Sequence, residues 1–438
     1  MGVIGDLPFS MEEYRLRQDR FLSENKEDTL VLIPTNSVQI RSNDTSYPFR
    51  ANSYMLYLCG WSEPEAIFMG FQDSGSWKSC LFVRPRDTRA EIWEGRRVGI
   101  EGTLEYWPID EAYSIDDMDK IIQNKISNSN SISTIGGFNK ELDILIKKSN
   151  LEIFDARDIL DDLRVIKSEE EIKIMHDAAI LASNAHIEAI KKTYPEIGEW
   201  EIQSVIESYF SANQSCPSYS SIVGGGDNAT ILHYNSNNMK ISDGDLVLVD
   251  AGCEISGYAS DITRTWPVNG KFSDAQKEIY NLVLDAEKAA IEACVVGSTW
   301  SSMHHASSKV LAKGLIDLGI LECNLAEALG ENYDGPYRNF FMHGTGHMLG
   351  LDVHDVGGGR QGDKGPERLL SPGMVLTIEP GLYFAGWRSD IEIPEKYSGI
   401  GIRIEDDVLV TDEGPVILTS SCPKEISEIE SLVGEMIE

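Results

Sequence analysis

Four carboxylates and one imidazole in this sequence could do chemistry together: Asp250, Asp261, His347, Glu379 and Glu405. Each of the four acids ends or interrupts an apolar stretch that predicts a buried strand. Burying a carboxylate is costly unless it is paired or binds a metal. One imidazole among four carboxylates is an oxygen-rich ligand set, which favours manganese, with iron, cobalt and zinc as alternatives. We call these five residues the predicted ligand set.

The predicted ligand set indicates metal-assisted hydrolysis. Two divalent cations would neutralise its four carboxylates and lower the pKa of a shared water until hydroxide is available near neutral pH. The alternative is a group of ordinary ion pairs, in which Arg264, Arg403 or lysine side chains neutralise the acids. Ion pairing could account for one or two of the acids, but not easily for the whole set beside a histidine-rich segment.

The segment 243–264 is predicted to bring the first two acids together. Residues 246–249 form an apolar run that predicts a strand ending at Asp250, and a second strand over residues 258–265 carries Asp261. The midpoint between the aspartates falls at residues 254–257, which have the composition of a hairpin turn. Folding there would place the two carboxylates across from each other, where they repel unless a proton or cation lies between them.

Three of the eight histidines fall within residues 343–355, at His343, His347 and His354. The segment is not an HExxH motif, because Gly344 follows the first histidine, so a thermolysin-like zinc helix is excluded. Its glycines allow close approach of the backbone to a ligand or metal. His233, which follows the glycine-rich residues 224–226, is a fourth candidate for the site.

An internal similarity links two parts of the second half of the chain. Residues 243–252 (DGDLVLVDAG) resemble residues 372–381 (PGMVLTIEPG), since in each a glycine precedes an apolar strand that ends in an acid. Residues 261–264 have a looser counterpart in residues 403–406. Two similar halves, each presenting two carboxylates, would form a pseudo-symmetric site, although chance similarity between two buried strands would look the same.

The chain is predicted to form two domains of mixed α/β (α+β) structure, residues 1–165 and 166–438. In the first we expect a helix over residues 10–25, strands at 29–33, 53–59, 66–71 and 80–83, helices at 114–126 and 140–148, and a surface loop at 127–134. A capping box from Ser168 to Glu171 opens the second. Helices are predicted there at residues 168–192, 199–212, 274–294 and 301–319.

The formal net charge of −33 disfavours partners that present a phosphate backbone. No apolar run approaches the roughly 20 residues that span a membrane, so we expect no membrane partner. The first residues lack a basic segment followed by an apolar core, and the seven cysteines are scattered without a CxxC pair. These features predict a cytoplasmic protein with reduced thiols.

The sequence resembles the pita-bread metallopeptidases, and most closely the Xaa-Pro aminopeptidases, or aminopeptidase P. The motifs that carry the resemblance are VDAGCEISGYASDITRTWPVNGKF, FFMHGTGHMLGLDVHDVG, VLTIEPGLY and GIRIEDDVLV, with RSNDTSYPFRANS and AEIWEGRR in the first domain. The resemblance implies a pita-bread catalytic domain at residues 166–438. It also implies two manganese ions held by the predicted ligand set, an N-terminal domain for oligomerisation and cleft lining, and a homodimer or homotetramer.

Further residue roles follow from the resemblance. His233, His343 and His354 match histidines that bind substrate and steady the tetrahedral intermediate, and Arg403 matches an arginine that orients ligand carboxylates. The remaining matches concern the substrate cleft: Tyr383 and Trp93 match aromatic positions near it, and Asp44 resembles a first-domain acid near the active site of a neighbouring subunit.

The implied reaction is cleavage of the bond before proline in peptides with an N-terminal Xaa-Pro sequence. Glu379 would take a proton from water and pass it toward the proline nitrogen, while His343 and His354 donate hydrogen bonds to the developing oxyanion. The main alternative is a prolidase, which cleaves only dipeptides. A methionine aminopeptidase would not need the large first domain, and a non-catalytic acidic pita-bread module that binds basic proteins would usually lack ligands.

Overall fold

The structure is a computed structural model that describes residues 7–360 and 365–436. Contacts between Cα atoms divide the chain into two compact units, Met1–Arg164 and Val165–Glu438. Within the described ranges, no helix combines the length and apolar character that crossing a membrane requires.

The first unit alternates short helices with the strands of one main sheet. Its helices are α1 (Met11–Ser23), α2 (Ser53–Cys59), α3 (Thr88–Glu94), α4 (Gly99–Tyr106), α5 (Met118–Ile126), α6 (Lys140–Lys147) and α7 (Arg157–Val165). Its strands are β1 (Thr29–Pro34), β2 (Ile40–Ser42), β3 (Thr45–Ser46), β4 (Ile67–Asp73), β5 (Ser76–Val83), β6 (Glu111–Ser114), β7 (Ser131–Thr134) and β8 (Glu152–Asp155).

Six of these strands form a mixed sheet in the order β6-β5-β4-β1-β7-β8. Strand β4 is antiparallel to both of its neighbours, whereas the pairs β5–β6, β1–β7 and β7–β8 are parallel. Apolar residues of the central strands are buried against side chains of α5 and α6, which form the core of this unit. Strands β2 and β3 make a separate exposed hairpin.

Two predicted elements of the first unit are wrong. Residues 53–59 form the helix α2 and not a strand, because the Asn52 side chain caps Met55 N at 2.9 Å and Gly60 ends the helix in the left-handed region. The predicted surface loop at 127–134 contains the buried strand β7. Its polar side chains are satisfied inside the sheet, where Thr134 Oγ1 donates to Leu32 O at 2.7 Å.

The second unit contains long helices and several small sheets. Its helices are α8 (Glu169–Lys191), α9 (Glu199–Ala212), α10 (Asp274–Glu292), α11 (Trp300–Asp317), α12 (Leu325–Leu329) and α13 (Ile426–Leu432). Its strands are β9 (Cys216–Pro217), β10 (Ile222–Gly225), β11 (Leu246–Asp250), β12 (Cys253–Ile255), β13 (Tyr258–Ala259), β14 (Thr263–Pro267), β15 (Val375–Ile378), β16 (Gly381–Tyr383), β17 (Gly401–Arg403), β18 (Asp406–Thr411) and β19 (Gly414–Ile417).

The predicted hairpin forms, but its register differs from the simple expectation. The turn lies at Ser256 and Gly257, both with positive φ, between β12 and β13. Further along, β11 pairs with β14, and the partner of Asp250 is Thr263 and not Asp261. The ladder is interrupted because the backbone at Gly252 packs so closely on Ser260 that a Cβ at position 252 would overlap the Ser260 carbonyl.

The internal similarity corresponds to two sheets with the same local pairing. Strand β11 pairs antiparallel with β14 in the sheet β10-β11-β14, and β15 pairs antiparallel with β18 in the sheet β15-β18-β19. Apolar side chains of β11, β14 and β17 pack with helices α8 to α11 in one large core. Apolar side chains of β15 and β18 are buried in a second cluster with residues of α10 and α11, so the acidic strand ends of both sheets adjoin packed cores.

Candidate active site

A cavity of about 610 Å³ in the second unit collects most of the predicted site residues. The whole predicted ligand set lines it, together with His233, His343, His354 and Arg403. Segments more than 150 residues apart in sequence therefore meet at one place, as the spread from residue 233 to residue 405 shows. The remaining cavity-lining residues are Ser218, Tyr219, Ser220, Ile222, Leu232, Asn235 and Val353.

The four acids lie at or beside strand ends. Asp250 is the last residue of β11, Glu379 directly follows β15, and Glu405 directly precedes β18. Asp261 lies in the interruption before β14, where its backbone N–H donates to the Asp407 carboxylate at 3.2 Å. Strand ends fix the backbone firmly while leaving the side chain free to face the cavity.

The imidazole of His347 is placed among these acids. Its Nε2 lies 3.3 Å from Asp261 Oδ2 and 3.8 Å from Glu379 Oε1, while Nδ1 contacts its neighbour's carbonyl, Met348 O, at 3.0 Å. Asp261, His347 and Glu405 each offer a ligand atom, and these atoms all lie within 4.8 Å of one another. That spacing suits a shared cation. The backbone carbonyl on Nδ1 favours the tautomer that leaves Nε2 free to coordinate.

Tyr219 is a site residue that the sequence analysis missed. Its hydroxyl lies 2.5 Å from both Asp250 Oδ1 and Asp261 Oδ1, so it bridges two of the predicted ligands. Burial, followed by the charges of the two aspartates, holds the pKa of this phenol well above its usual value. The residue lies in the irregular polar segment before β10, where no periodicity or motif marks it.

Arg403 connects the acids to the aromatic side of the site. Its guanidinium donates to Asp250 Oδ2 at 2.6 Å, to Thr263 Oγ1 at 3.0 Å and to the Tyr383 hydroxyl at 2.8 Å. Thr263 in turn donates to Glu405 Oε2 at 2.6 Å. Asp250 is therefore one of the acids that an arginine neutralises, as the alternative of ordinary ion pairs predicted.

Arg264, the other arginine considered as a neutralising partner, is directed elsewhere. It binds Asp406, which is outside the predicted ligand set, at 2.7 Å, and both side chains are fully buried. It also donates to the backbone carbonyl of Glu405. Arg264 thus stabilises the start of β18, which follows Glu405, without neutralising the Glu405 carboxylate.

Burial, followed by the neighbouring charges, shifts the pKa values of the titratable groups in the cavity. Burial raises the pKa of Glu379 to about 7, although His347 and Arg403 oppose this change. Burial and the charges of the other acids hold the pKa of Glu405 well above its usual range. Burial lowers the pKa of His347, but the hydrogen bond and charge of Asp261 outweigh it and raise that pKa to about 9. The cavity therefore concentrates negative charge that needs a cationic partner.

The residues present fit a divalent metal centre. Glu405 is 1% exposed, and its Oε1 has no hydrogen-bond partner within the described protein. An unpaired buried carboxylate oxygen beside two further acids is costly unless a cation binds it. The donor set of oxygens and one imidazole nitrogen is of the kind that manganese, iron, cobalt and zinc accept.

His343 is held in one orientation by two contacts. Its Nδ1 lies 2.7 Å from Gly344 O and its Nε2 lies 2.7 Å from the Tyr383 hydroxyl. Since Arg403 donates to that hydroxyl, Tyr383 donates to Nε2, and Nδ1 carries the proton. Burial, with the nearby arginine, lowers the pKa of His343 to about 3, so its ring is neutral.

The other predicted residues fall in two places. His354 packs edge-on against the imidazole of His347, with ring centroids 4.4 Å apart, and His233 lies at the cavity wall near Leu232. Asp44 and Trp93 belong to the first unit, where Asp44 is exposed between β2 and β3 and Trp93 is 88% exposed on α3.

Two family models match this chain. The model described as metallopeptidase family M24 matches residues 173–412, and the one described as the aminopeptidase P N-terminal domain matches residues 14–134. Because the first match covers more than half of the chain, the protein belongs to metallopeptidase family M24. The predicted family and fold class, an N-terminal mixed α/β domain with a pita-bread catalytic domain, are confirmed.

Individual relatives match over nearly the whole chain. The Xaa-Pro aminopeptidase of Haemophilus influenzae is 43% identical over 428 residues, which cover 96% of this chain and 97% of that protein. The structure of Pseudomonas aeruginosa aminopeptidase PepP superposes with a TM-score of 0.92 at 37% identity, covering 97% of this chain and 98% of that one. The structure of Escherichia coli aminopeptidase P with the inhibitor Pro-Leu gives a TM-score of 0.91 at 38% identity, with the same coverage.

Proposed function

We propose that this protein is a metal-dependent aminopeptidase that releases the N-terminal residue from peptides with proline in the second position. The observation that carries the proposal is the meeting of the predicted ligand set in one cavity with three histidines and Arg403. The relatives named Xaa-Pro aminopeptidase support this activity over that of a prolidase. The Pro-Leu inhibitor of the Escherichia coli enzyme also supports a peptide substrate that contains proline.

We further propose that the predicted ligand set holds two divalent ions, manganese in the first instance, with zinc, cobalt or iron as alternatives. Bound there, the ions would supply a nucleophile from water at neutral pH and polarise the substrate carbonyl. Tyr219 and Arg403 keep the Asp250 and Asp261 carboxylates oriented. The four carboxylates of the set carry four negative charges, which two divalent ions would neutralise, and this supports a dinuclear over a mononuclear site.

Glu379 is the residue that moves a proton in this proposal. Its carboxylate lines the cavity beside the other acids and can accept a proton from water and return it to the leaving proline nitrogen. His354 and His233 line the same cavity and can donate hydrogen bonds to the substrate carbonyl region. The Nδ1 atom of His343 donates to Gly344 O, and its Nε2 atom accepts from the Tyr383 hydroxyl. We assign His343 two roles: it orients Tyr383, and it donates from Nδ1 to the oxyanion when the hydrogen bond to Gly344 O is broken.

The apolar part of the cavity provides a place for the proline ring. Ile222, Leu232 and Val353 line the cavity beside the charged residues. A tertiary amide with a five-membered ring has no N–H to satisfy, so an apolar wall can bind it without a polar penalty. This wall is the element of specificity that the sequence did not locate.

The first unit is proposed to serve oligomerisation and cleft lining in a homodimer or homotetramer. The large apolar surface of Trp93 and the neighbouring Ile92, which is 75% exposed, supports an interface at α3. Asp44 is proposed to face the active site of a second subunit. A cytoplasmic location remains a prediction.

The test is a peptidase assay on the full-length protein loaded with manganese. Gly-Pro, Gly-Pro-Pro and longer Xaa-Pro peptides are compared with matched peptides that carry alanine in the second position. We expect hydrolysis of the longer Xaa-Pro peptides with release of the first residue. Cleavage of Gly-Pro alone would identify a prolidase, and absence of both hydrolysis and bound metal would favour a binding module.

A further inference from the structure

A stripe of three polar side chains on α9 lies behind the cavity wall. Glu199, Gln203 and Glu207 are spaced four residues apart, so they share one face of the helix. Glu199 is 0% exposed, and a buried carboxylate must be fully paired to be tolerated. The partners of this stripe therefore indicate what it holds in place.

The Glu199 carboxylate accepts four hydrogen bonds from a single segment. Its Oε1 accepts from Gly225 N and Asn228 Nδ2, both at 2.9 Å. Its Oε2 accepts from the Tyr234 hydroxyl at 2.8 Å and from Met239 N at 2.9 Å. One side chain thus ties the beginning, the middle and the end of the segment 225–239 to α9.

That segment forms part of the cavity wall. Leu232, His233 and Asn235 line the cavity, and Tyr234 lies between the last two in sequence. Because Tyr234 directly follows His233, the hydrogen bond from the Tyr234 hydroxyl to Glu199 constrains the backbone that carries His233. Glu199 itself is absent from the residues that line the described cavity.

The rest of the stripe secures the adjoining wall in the same manner. Asn237, which has a φ of 45°, donates to Gln203 Oε1 at 3.0 Å and to Ser221 O at 2.8 Å, and it accepts from Val223 N at 3.0 Å. Ser221 donates to Glu207 Oε1 at 2.9 Å. The stripe therefore joins the wall at residues 218–222 to the segment that carries the histidine.

We infer that Glu199 is a positioning residue for His233 and thereby affects how tightly the cavity binds its peptide substrate. The inference rests on the proposed function, because a fixed His233 matters to turnover only if substrate binds beside it. The carboxylate accepts hydrogen bonds from the wall segment, and the segment holds the imidazole. Misplacing a substrate-binding group by about 1 Å can cost up to roughly a hundredfold in rate.

The test is a double-mutant cycle on the manganese-loaded, full-length protein with an Xaa-Pro tripeptide. The variants are Glu199→Gln, His233→Ala and their combination. In Glu199→Gln, an amide NH2 group replaces one carboxylate oxygen, so two of the four donors lose their acceptor. We expect kcat/KM to fall by about tenfold or more, mainly through KM, with bound manganese unchanged. In the His233→Ala background the same change should cost little further activity.

Two further variants separate positioning from general loss of stability. Ile202→Val removes one methyl from the buried core face of the same helix and should leave KM unchanged. Tyr234→Phe removes one of the four donors and should show a smaller loss of the same kind if Glu199→Gln does not fold. Unchanged kinetics in Glu199→Gln or in Tyr234→Phe would overturn the inference. So would a loss of kcat/KM in Glu199→Gln that adds fully to the loss in His233→Ala. A wild type that hydrolyses no Xaa-Pro peptide would instead overturn the proposed function.

Discussion

Among single residues at the cavity, Glu379 is the one to which we assign the proton transfer. Replacing it by glutamine keeps its shape but removes the proton-accepting group, so kcat should fall by roughly 10²–10⁴-fold. Because Glu379 also belongs to the predicted ligand set, bound metal is measured in the same sample. Glu292→Gln, an exposed acid at the end of α10, is the control and should retain full activity. A wild-type rate for Glu379→Gln would refute its role.

Tyr219 provides a second prediction for a single side chain. Its hydroxyl is the shared hydrogen-bond partner of Asp250 and Asp261, so Tyr219→Phe should lower metal affinity or activity by about 10–100-fold. Isothermal titration with manganese and steady-state kinetics measure the two effects. The control is Tyr194→Phe, whose hydroxyl contacts Glu201 outside the cavity. Equal affinities and rates in the two variants would contradict a bridging role for Tyr219.

The sequence predicts the carboxylates of the predicted ligand set and, through the resemblance, Arg403, but not the hydroxyl groups that contact these acids. A carboxylate at the end of an apolar run is conspicuous, because burial demands a partner for it. Tyr219 and Thr263 contact the ligands by their hydroxyl groups, and such residues occur in many segments without any site nearby. Only the three-dimensional packing shows which of these hydroxyls face the cavity.

At the level of elements, periodicity and capping predict the four long helices of the second unit, α8 to α11, well. Helix α8 begins at the predicted capping box, and α9 matches its predicted range closely. The errors arose where periodicity carries little information. Helix α2 is apolar on most sides and only seven residues long, and β7 consists largely of hydroxyl-bearing residues that pack inside a sheet.

The interruption between the β11–β14 pairing and the β12–β13 pairing depends on Gly252. A Cβ at this position would lie 1.8 Å from the Ser260 carbonyl oxygen, so Gly252→Ala must displace the backbone that carries Asp261. We expect a loss of about 1–3 kcal/mol in the free energy of unfolding, together with weaker metal binding. Gly358→Ala is the control, since a Cβ there meets no atom within 4 Å. Denaturant titration that gives the two variants equal stability would contradict this account.

For the whole molecule, buried histidines make stability depend on pH. His186 is 0% exposed and contacts Ala251 O through Nε2 at 2.9 Å, and burial lowers its pKa from 6.5 to about 4. The unfolded chain therefore binds more protons between these two pH values, and stability falls as the pH drops through that window. The full contribution is roughly 3 kcal/mol.

Replacing His186 by glutamine isolates this contribution. The amide can keep a hydrogen bond to Ala251 O but does not titrate, so the variant should lose less stability than the wild type between pH 6.5 and pH 4. Urea unfolding at a series of pH values measures the difference. Parallel curves for the two proteins would show that protonation of His186 contributes nothing to acid unfolding.

The proposed pair of divalent ions is bound by residues that lie far apart in sequence. The most direct test of this proposal is metal content by inductively coupled plasma mass spectrometry after manganese loading and dialysis of the full-length protein. We expect two ions per chain for the wild type and a clear loss for Glu405→Gln, in which an amide NH2 group replaces one buried carboxylate oxygen. A wild type without bound metal, or a Glu405→Gln variant with undiminished metal content, would contradict this proposal.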